Sequence, residues 1–390
     1  MIFKGSSDLS PRVNMVIDGV AVDYLSVKRL SMELHENMHN VVILEFAGLN
    51  PQLITEYIDR PVKVSIEIRE RDLLEFCGYI THLEPFSLSY SGTVNKSPFQ
   101  MTRVYCMGAS YLMKSKKSRV WENKTISEIA QQISNTYKFS VSVPNDSYRF
   151  PRLVQSSESD WAFLVDTAQK LGYSVLVENT HINIWDPYKA INQRRSYSAL
   201  YTIRGLYGSP NPQPGLIIEF DGRIGAVTPY ASKTPDTIHV LDKQSSVLSV
   251  SNADSTDHSG LGTPVTTKFT NTYSVNADSF EMGKKLVDGE LRRSFPFYAK
   301  VTVVGDPGIT PGGIVNIKEY NAQFDGFWYV KSVNHEITQS SMVTHLEIVK
   351  DSTGSSEDIP MSTTAYIAPP APALQGGEWI SSADMVNVYV

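Results

Sequence analysis

The feature that most constrains this chain is a change of hydrophobic period, from about 2 to about 3.6 and back, between residues 1–110, 111–190 and 191–350. Period two is cleanest in Val62-Lys63-Val64-Ser65-Ile66-Glu67-Ile68. Such a run fits a strand with one apolar face, its other face wet or paired with another chain. Strands are expected at Arg12 to Asp18, Leu25 to Leu34, Val41 to Phe46, Val62 to Ile68, Leu73 to Ile80 and Met101 to Met107, with Arg71 and Asp72 at a hairpin turn. Short strands at this spacing predict a sandwich or barrel.

Between Lys114 and Pro187 the pattern becomes helical. Ile126, Ile129, Ala130, Ile133 and Tyr137 fall on one stripe, and Thr125 with Glu128 has the spacing of a capping box at its start. A second stripe, Trp161, Leu164, Val165, Ala168 and Leu171, follows Ser157 and Asp160 in the same capping spacing, and Gly172 is placed to close it in the left-handed region. Tyr173 to Val177 and Ile182 to Trp185 then read as a hairpin. The segment is a small α+β module between two β-rich regions.

Strands return at Leu216 to Phe220, Thr237 to Leu241, Val265 to Phe269, Ala299 to Val304, Ile314 to Glu319, Trp328 to Val333 and Val343 to Val349. One helix interrupts them, from Ser279 to Arg292, with Phe280, Gly283, Val287 and Leu291 on a stripe that Met282 and Leu286 widen. Gly305-Asp306-Pro307-Gly308 and Pro311-Gly312-Gly313 force turns. Beyond Lys350 the composition shifts to Ser, Thr, Pro and Ala, as expected of an extended linker ending in the apolar tag Val386-Asn387-Val388-Tyr389-Val390.

Composition limits the function classes. With 390 residues, 41% hydrophobic and 19% charged, the chain is of globular type and long enough for several domains. No apolar run approaches the roughly 20 residues of a membrane-spanning helix, and MIFKGSSDLS lacks a signal-peptide core, so folding in a cytoplasm without membrane insertion is expected. A formal charge of −6 argues against tight duplex binding. The densest basic cluster, Lys114, Lys116, Lys117 and Arg119, reads as a solvated surface turn. Cys77 and Cys106 lie in strand-like runs without CxxC spacing and read as buried thiols.

One string carries chemistry on paper. His35-Glu36-Asn37-Met38-His39 matches HExxH, in which two histidines hold zinc and the glutamate serves as general base, provided the string is helical. Here it lies between alternating Ser31-Met32-Glu33-Leu34 and β-branched Val41-Val42-Ile43, where a turn joining two strands is the simpler account, and no third ligand is evident. A zinc metallopeptidase using His35, Glu36 and His39 is therefore kept only as an alternative. His335 and His345, in adjacent strands, are expected at the strand surface or a subunit interface. Glu158 and Asp160 are explained by the dipole of the helix they precede. Trp121, Trp185 and Trp328 read as core or interface anchors. No catalytic, cofactor-binding or metal residue is assigned, and no cofactor is expected.

Two stretches carry a resemblance. Gln155-Ser156-Ser157-Glu158-Ser159-Asp160-Trp161-Ala162-Phe163-Leu164, continuing to Ala168 and Gly172-Tyr173, is similar to the phage tail hub family. That family includes the late control protein D group, the central hub of contractile-tailed phages and the hub part of type VI secretion spike proteins. Val301 to Gly305, Ile309 to Gly312, Phe324 to Val330, His335 and Thr344 to Ile348 resemble the closing strands of its second barrel. The resemblance implies a mainly β chain with an α+β insertion: a first tube-like barrel at 1–110, an α+β module at 111–190, a second tube-like barrel at 191–350, and a linker with a C-terminal arm at 351–390. It also implies a homotrimeric baseplate hub in the virion tail. Such a hub adapts a hexameric tail tube, or its adaptor protein, to a trimeric central spike, contacts other baseplate proteins and passes DNA without specific binding. A further resemblance, of Asn123-Lys124-Thr125-Ile126-Ser127-Glu128-Ile129-Ala130 to the opening of a LysM repeat, implies cell-wall binding as an alternative.

Overall fold

The computed structural model describes residues 12–22, 27–47, 55–68, 72–88, 99–187, 197–201, 215–224, 238–241, 245–250, 263–264, 271–275, 295–318, 320–321, 323–338, 341–350 and 352–353. The expected strand Val265 to Phe269, the helix Ser279 to Arg292 and the arm beyond Thr353 lie outside these residues.

The first region holds β1 (Arg12–Ile17), β2 (Val20–Val22), β3 (Val27–His35), β4 (Val41–Ala47), β5 (Pro61–Ile68), β6 (Asp72–Leu88) and β7 (Phe99–Gly108). The middle module holds β8 (Lys116–Lys124), α1 (Ile126–Tyr137), β9 (Ser140–Ser142), β10 (Phe150–Ser159), α2 (Asp160–Lys170), β11 (Ser174–Glu178) and β12 (His181–Trp185). There follow β13 (Tyr197–Tyr201), β14 (Ile217–Ile224), β15 (Ile238–Leu241), β16 (Ser245–Val250), β17 (Thr263–Pro264), β18 (Asn271–Val275), β19 (Phe297–Val304), β20 (Ile314–Lys318), β21 (Gly326–Thr338), β22 (Met342–Lys350) and β23 (Ser352–Thr353). The chain is thus mainly β, with its described α-helices confined to the middle module.

The two β-rich regions share a thirteen-stranded sheet. Its path is β14-β19-β22-β21-β3-β4-β7-β6-β5-β1-β2, with β20 joining β21 and β13 joining β20. Strand β21 makes this continuity possible. One edge pairs with β22, while the other serves two partners in turn: β20 over Gly326 to Tyr329, then β3 over Ser332 to Thr338. The change of partner falls at Lys331, next to an irregularity in the pairing with β22 between Val330 and Ser332. A bulge adds twist and lets one long strand serve two sheet segments.

Alternation sorts the side chains. Leu30, Met32 and Leu34 of β3, Val42, Leu44 and Phe46 of β4, Val62, Val64 and Ile66 of β5, and Val104 and Cys106 of β7 build one core. Phe297, Ala299, Val301 and Val303 of β19, Trp328, Val330 and Val333 of β21, and Leu346 and Ile348 of β22 build another. Ile337 on β21 and Met342 on β22 belong to the first core although they arise from the second region, so apolar packing as well as backbone bonding crosses the seam. At Gly78 a side chain is excluded, because a Cβ there would lie 2.2 Å from the Met107 carbonyl oxygen across the β6–β7 ladder. Lys350 ends β22 fully buried, its Nζ donating to the Asp325 carbonyl at 2.9 Å and lying 4.8 Å from the Trp328 ring centre. Aromatic rings and a carbonyl acceptor both stabilise such a cation.

In the module the first helix begins as its sequence indicates. Thr125 accepts from Glu128 N, Glu128 accepts in return from Thr125 N, and Lys138 closes the helix in the left-handed region. The second helix is capped elsewhere than expected. Ser159, not Ser157, accepts from Ala162 N at 3.1 Å, because β10 bulges between Gln155 and Glu158 and places Ser157 at φ +49°, with its N–H donating to Ser118 Oγ. Gly172, at φ +78°, does follow that helix as the sequence indicates.

Truncating Ile337 to Ala should lower the stability of the whole sheet by about 2–5 kcal/mol, the usual cost of emptying an aliphatic core position. Urea unfolding followed by tryptophan fluorescence and by circular dichroism should then shift together. A shift seen by one probe alone would separate the two cores.

Candidate functional site: the polar joint between three regions

The string that matches a zinc motif forms the turn between β3 and β4, as the flanking alternation indicates, and not a helix. Its residues do separate jobs. The Glu36 N–H donates to the Lys331 carbonyl at 3.2 Å, at the point where β21 changes partner. Glu36 Oε2 accepts from Tyr329 Oη at 2.8 Å and from Ser174 Oγ at 2.9 Å, and Trp185 Nε1 donates to Tyr329 Oη at 3.0 Å. One carboxylate therefore binds β21 of the second region and β11 of the module to a turn of the first region. Tyr329 is fully buried, and burial followed by the neighbouring Glu36 charge pushes its hydroxyl far above the usual phenol range.

Asn37, at φ +63°, docks on β11 from both sides. Its N–H donates to the Val175 carbonyl at 2.7 Å, while its Oδ1 accepts from the Val175 N–H at 2.9 Å. Asn40 Nδ2 donates to the Val177 carbonyl at 3.0 Å, and the Asn40 carbonyl accepts from Gly108 N at 2.8 Å. His39 stacks on Trp161 of α2, ring centres 4.9 Å apart, with Nδ1 2.7 Å from Ser110 Oγ. Burial, and then the Lys114 charge, lower its pKa to about 4. His35 and His39 thus do not converge on one point: His35 approaches Glu33 at 4.0 Å while His39 faces the module. Among the described residues no group of three or more His, Cys, Asp or Glu is placed to hold a metal ion. Chemically, the turn is a three-way fastener.

A second polar cluster lies inside the module and explains the stretch Gln155 to Leu164. Asp160 is 0% exposed. Its Oδ1 accepts from Gln155 Nε2 at 2.9 Å, and its Oδ2 from Lys117 Nζ at 2.8 Å and Tyr137 Oη at 2.7 Å, with Arg119 at 3.7 Å. Burial pushes the Asp160 pKa up, but the hydrogen bonds from Gln155, Lys117 and Tyr137 outweigh it and hold the carboxyl below its usual range. The basic cluster is accordingly not a solvated turn. Lys117 and Arg119 lie on β8, with their heads directed at a buried carboxylate 43 and 41 positions along the chain (160 − 117, 160 − 119). The helix dipole accounts for only part of Asp160.

Of the two histidines of the closing strands, His345 lies at the strand surface as expected and His335 does not. His335 is opposite Thr344, and His345 opposite Asn334, so the pair projects to opposite faces of the sheet. His335 is 0% exposed rather than on a surface, with Nδ1 3.0 Å from Thr344 Oγ1; burial lowers its pKa to about 4, partly offset by the Ile309 backbone. His345 lies on the polar side, 3.0 Å from Thr302 Oγ1. Trp121, Trp185 and Trp328 are buried, and Cys77 and Cys106 are buried free thiols.

With this geometry described, the fold can be placed among known ones: it is that of phage tail proteins and of a type VI secretion component. The chain superposes on the 43 kDa tail protein of prophage MuSo2 from Shewanella oneidensis with a TM-score of 0.57 and 12% identity, covering 88% of this chain and 99% of that one. For a tail protein from Neisseria meningitidis MC58 the values are 0.59, 11%, 88% and 97%. For the E. coli c3393 protein, a component of the type VI secretion system, they are 0.52, 10%, 86% and 76%. Among curated proteins none matches. Residues 93–339 match the family model of the Alg8 N-terminal domain, and the chain belongs to that family. The matched span runs from ahead of β7 through the module to just past the end of β21, and so includes the Asp160 cluster and the Ser174, Trp185 and Tyr329 partners of Glu36, but not the β3–β4 turn itself.

Removing the Asp160 side chain (Asp160→Ala) takes the shared acceptor from Gln155, Lys117 and Tyr137 at once and should cost about 3–5 kcal/mol, the range for breaking a buried charged network; thermal melts against Lys117→Met should show the smaller loss, because Gln155, Tyr137 and Arg119 still hold the carboxylate. Acid should act on the same fold through His335. Its folded pKa lies below the ordinary 6.5, so its contribution is complete above pH 6.5 and is lost as pH falls toward about 4, a loss of about 3 kcal/mol at about 1.4 kcal/mol per unit. Urea titrations between these pH values should show a shallower slope for His335→Gln than for the wild type.

Proposed function

We propose that this chain is a structural hub of a phage or phage-like tail baseplate, without enzymatic activity. The observation that carries the reading is the polar face of the shared sheet. On β19, β22, β21, β3, β4, β7 and β6, the side chains opposite the two cores form cross-strand pairs. Lys300 meets Glu347 at 3.4 Å, Arg29 meets Glu336 at 2.8 Å, Ser31 donates to Asn334 at 2.8 Å, and Arg103 reaches Glu45 at 2.9 Å and Glu84 at 3.5 Å. A sheet that is apolar on one side and evenly polar over seven strands on the other suits a wall facing water.

Three such chains closing into a ring would place six β-rich regions around one axis. That supports a homotrimer adapting a hexameric tail tube, or tube-adaptor protein, to a trimeric central spike, held among other baseplate proteins in the virion tail after assembly in a host cytoplasm. The polar face would line the channel. Its cations Lys300, Arg29 and Arg103 are each already matched to a carboxylate, which supports DNA sliding past without being held, since retention comes from cations free to displace counterions. The partition into 1–110, 111–190, 191–350 and 351–390 belongs to the same reading. No helix among the described residues is long and apolar enough to cross a membrane.

Cell-wall binding by the module has less support, because Trp121, Trp161 and Trp185 are all turned inward and offer no stacking surface to a sugar. The zinc peptidase reading has less still, because His35 ends β3 beside Glu33 while Glu36 and His39 lie in the following turn, with His39 stacked on Trp161 of the module.

Light scattering should give the mass of three chains for the purified protein, alone or on adding its tube protein, unchanged by a chelator. A monomer under both conditions would overturn the ring, and a mass or activity lost with stoichiometric zinc would restore the peptidase.

A further inference from the structure

The middle module carries a histidine held between two serines. Strand β9 adds in parallel to β12 in the three-stranded sheet β11-β12-β9, with His181 opposite Ser140, Ile182 opposite Val141 and Asn183 opposite Ser142. Ile182 is buried in the module's core and Val141 packs against it, so alternation puts Ser140, Ser142 and His181 together on the outward face. There the imidazole lies along β9, its Nδ1 2.7 Å from Ser140 Oγ and its Nε2 2.9 Å from Ser142 Oγ. On its other side the residue in register, across the β11–β12 ladder, is Glu178.

A neutral imidazole has one N–H and one bare nitrogen, so of two serines bonded to its two nitrogens one accepts and the other donates. Burial lowers the His181 pKa from the ordinary 6.5, which keeps the ring neutral at pH 7. One of the two hydroxyls is therefore always aimed at a base. A hydroxyl within about 2.6–3.2 Å of a base that a third group orients has the geometry by which serine nucleophiles are activated. Ser140 is the exposed member of the two and makes the shorter contact, whereas Ser142 is half-buried. The tautomer that donates from Nε2 to Ser142 and accepts at Nδ1 from Ser140 thus places the activated oxygen where an electrophile can reach it.

We propose that Ser140 is an activated nucleophile that takes an acyl group from an activated ester, with His181 as general base and Ser142 orienting the ring. Ser140 Oγ bonds to the carbonyl carbon of the ester while its proton passes to His181 Nδ1. The bond from that carbon to the alcohol oxygen then breaks, and the departing alkoxide takes the proton back from the imidazolium. The products are O-acyl-Ser140 and a free alcohol. The acyl group stays on the chain, so the site carries a covalent modification and needs neither a ring of subunits nor a partner protein.

Treating the full chain with p-nitrophenyl acetate at pH 7 tests this, with the acetyl groups located by peptide mass spectrometry. Ser140 should be acetylated at least tenfold faster than Ser118 and Ser156, which are exposed on the β8–β10 ribbon. It should also react at least tenfold faster than in a His181→Gln variant of unchanged circular dichroism. The wild-type rate should hold level above pH 6.5 and fall in acid as the imidazole takes up its proton, where an unassisted hydroxyl would keep accelerating with pH. Acetylation of Ser140 no faster than that of Ser118 and Ser156 would overturn the proposal. So would a rate that climbs steadily with pH, or a label carried by Ser142 in place of Ser140.

Discussion

Where Ser332 to Thr338 of β21 run antiparallel to Arg29 to His35 of β3, segments 303 residues apart supply each other's backbone hydrogen bonds. Without that pairing both strands would end their sheets as open edges beside buried apolar faces, a costly arrangement in water. With it, Ile337 and Met342 can reach the core of the first region, and the β3–β4 turn is carried to the spot where β21 leaves β20. The joint around Glu36 exists because the seam brings its three participants together. A carboxylate largely withdrawn from water is tolerable only when hydrogen bonds replace its lost solvent, and for Glu36 Tyr329, Ser174 and the nearby Lys331 do so.

The module is held by a different balance. The cluster around Asp160 places charge inside an otherwise apolar body, a choice that contributes less to net stability than to uniqueness of arrangement. Only one placement of β8, α1 and the β10 bulge brings Lys117, Tyr137 and Gln155 onto Asp160 together. The stretch that makes the sequence resemble tail hub proteins is therefore a set of residues that fix how a strand turns into a helix.

Local signals in the sequence translated well and distant ones did not, for physical reasons. Thr125 and Glu128 cap their helix because both halves of that interaction lie within four residues. The alternation of Val62 to Ile66 fixes a face without reference to anything else. Ser157 misleads because a bulge, which depends on the partner strand β8, shifts the helix start by two residues. Lys117 and Arg119 look like surface charge until a carboxylate from another element is delivered to them, and His335 looks like strand surface until the second core closes over it. The string His35 to His39 resembles chemistry in one dimension and becomes a fastener in three. The seam itself has no sequence signature, since nothing in Leu30 announces Ile337.

The seam also has a mechanical consequence. In an antiparallel pair the hydrogen bonds lie across the strands, so tension directed along β21 strains the bonds to β3 over Ser332 to Thr338 all at once, in shear. Pulling apart at one end would instead break them singly, as a zipper opens. A joint loaded lengthwise in this way yields only when the whole row fails, so the seam between the two regions is stiff against tension along β21.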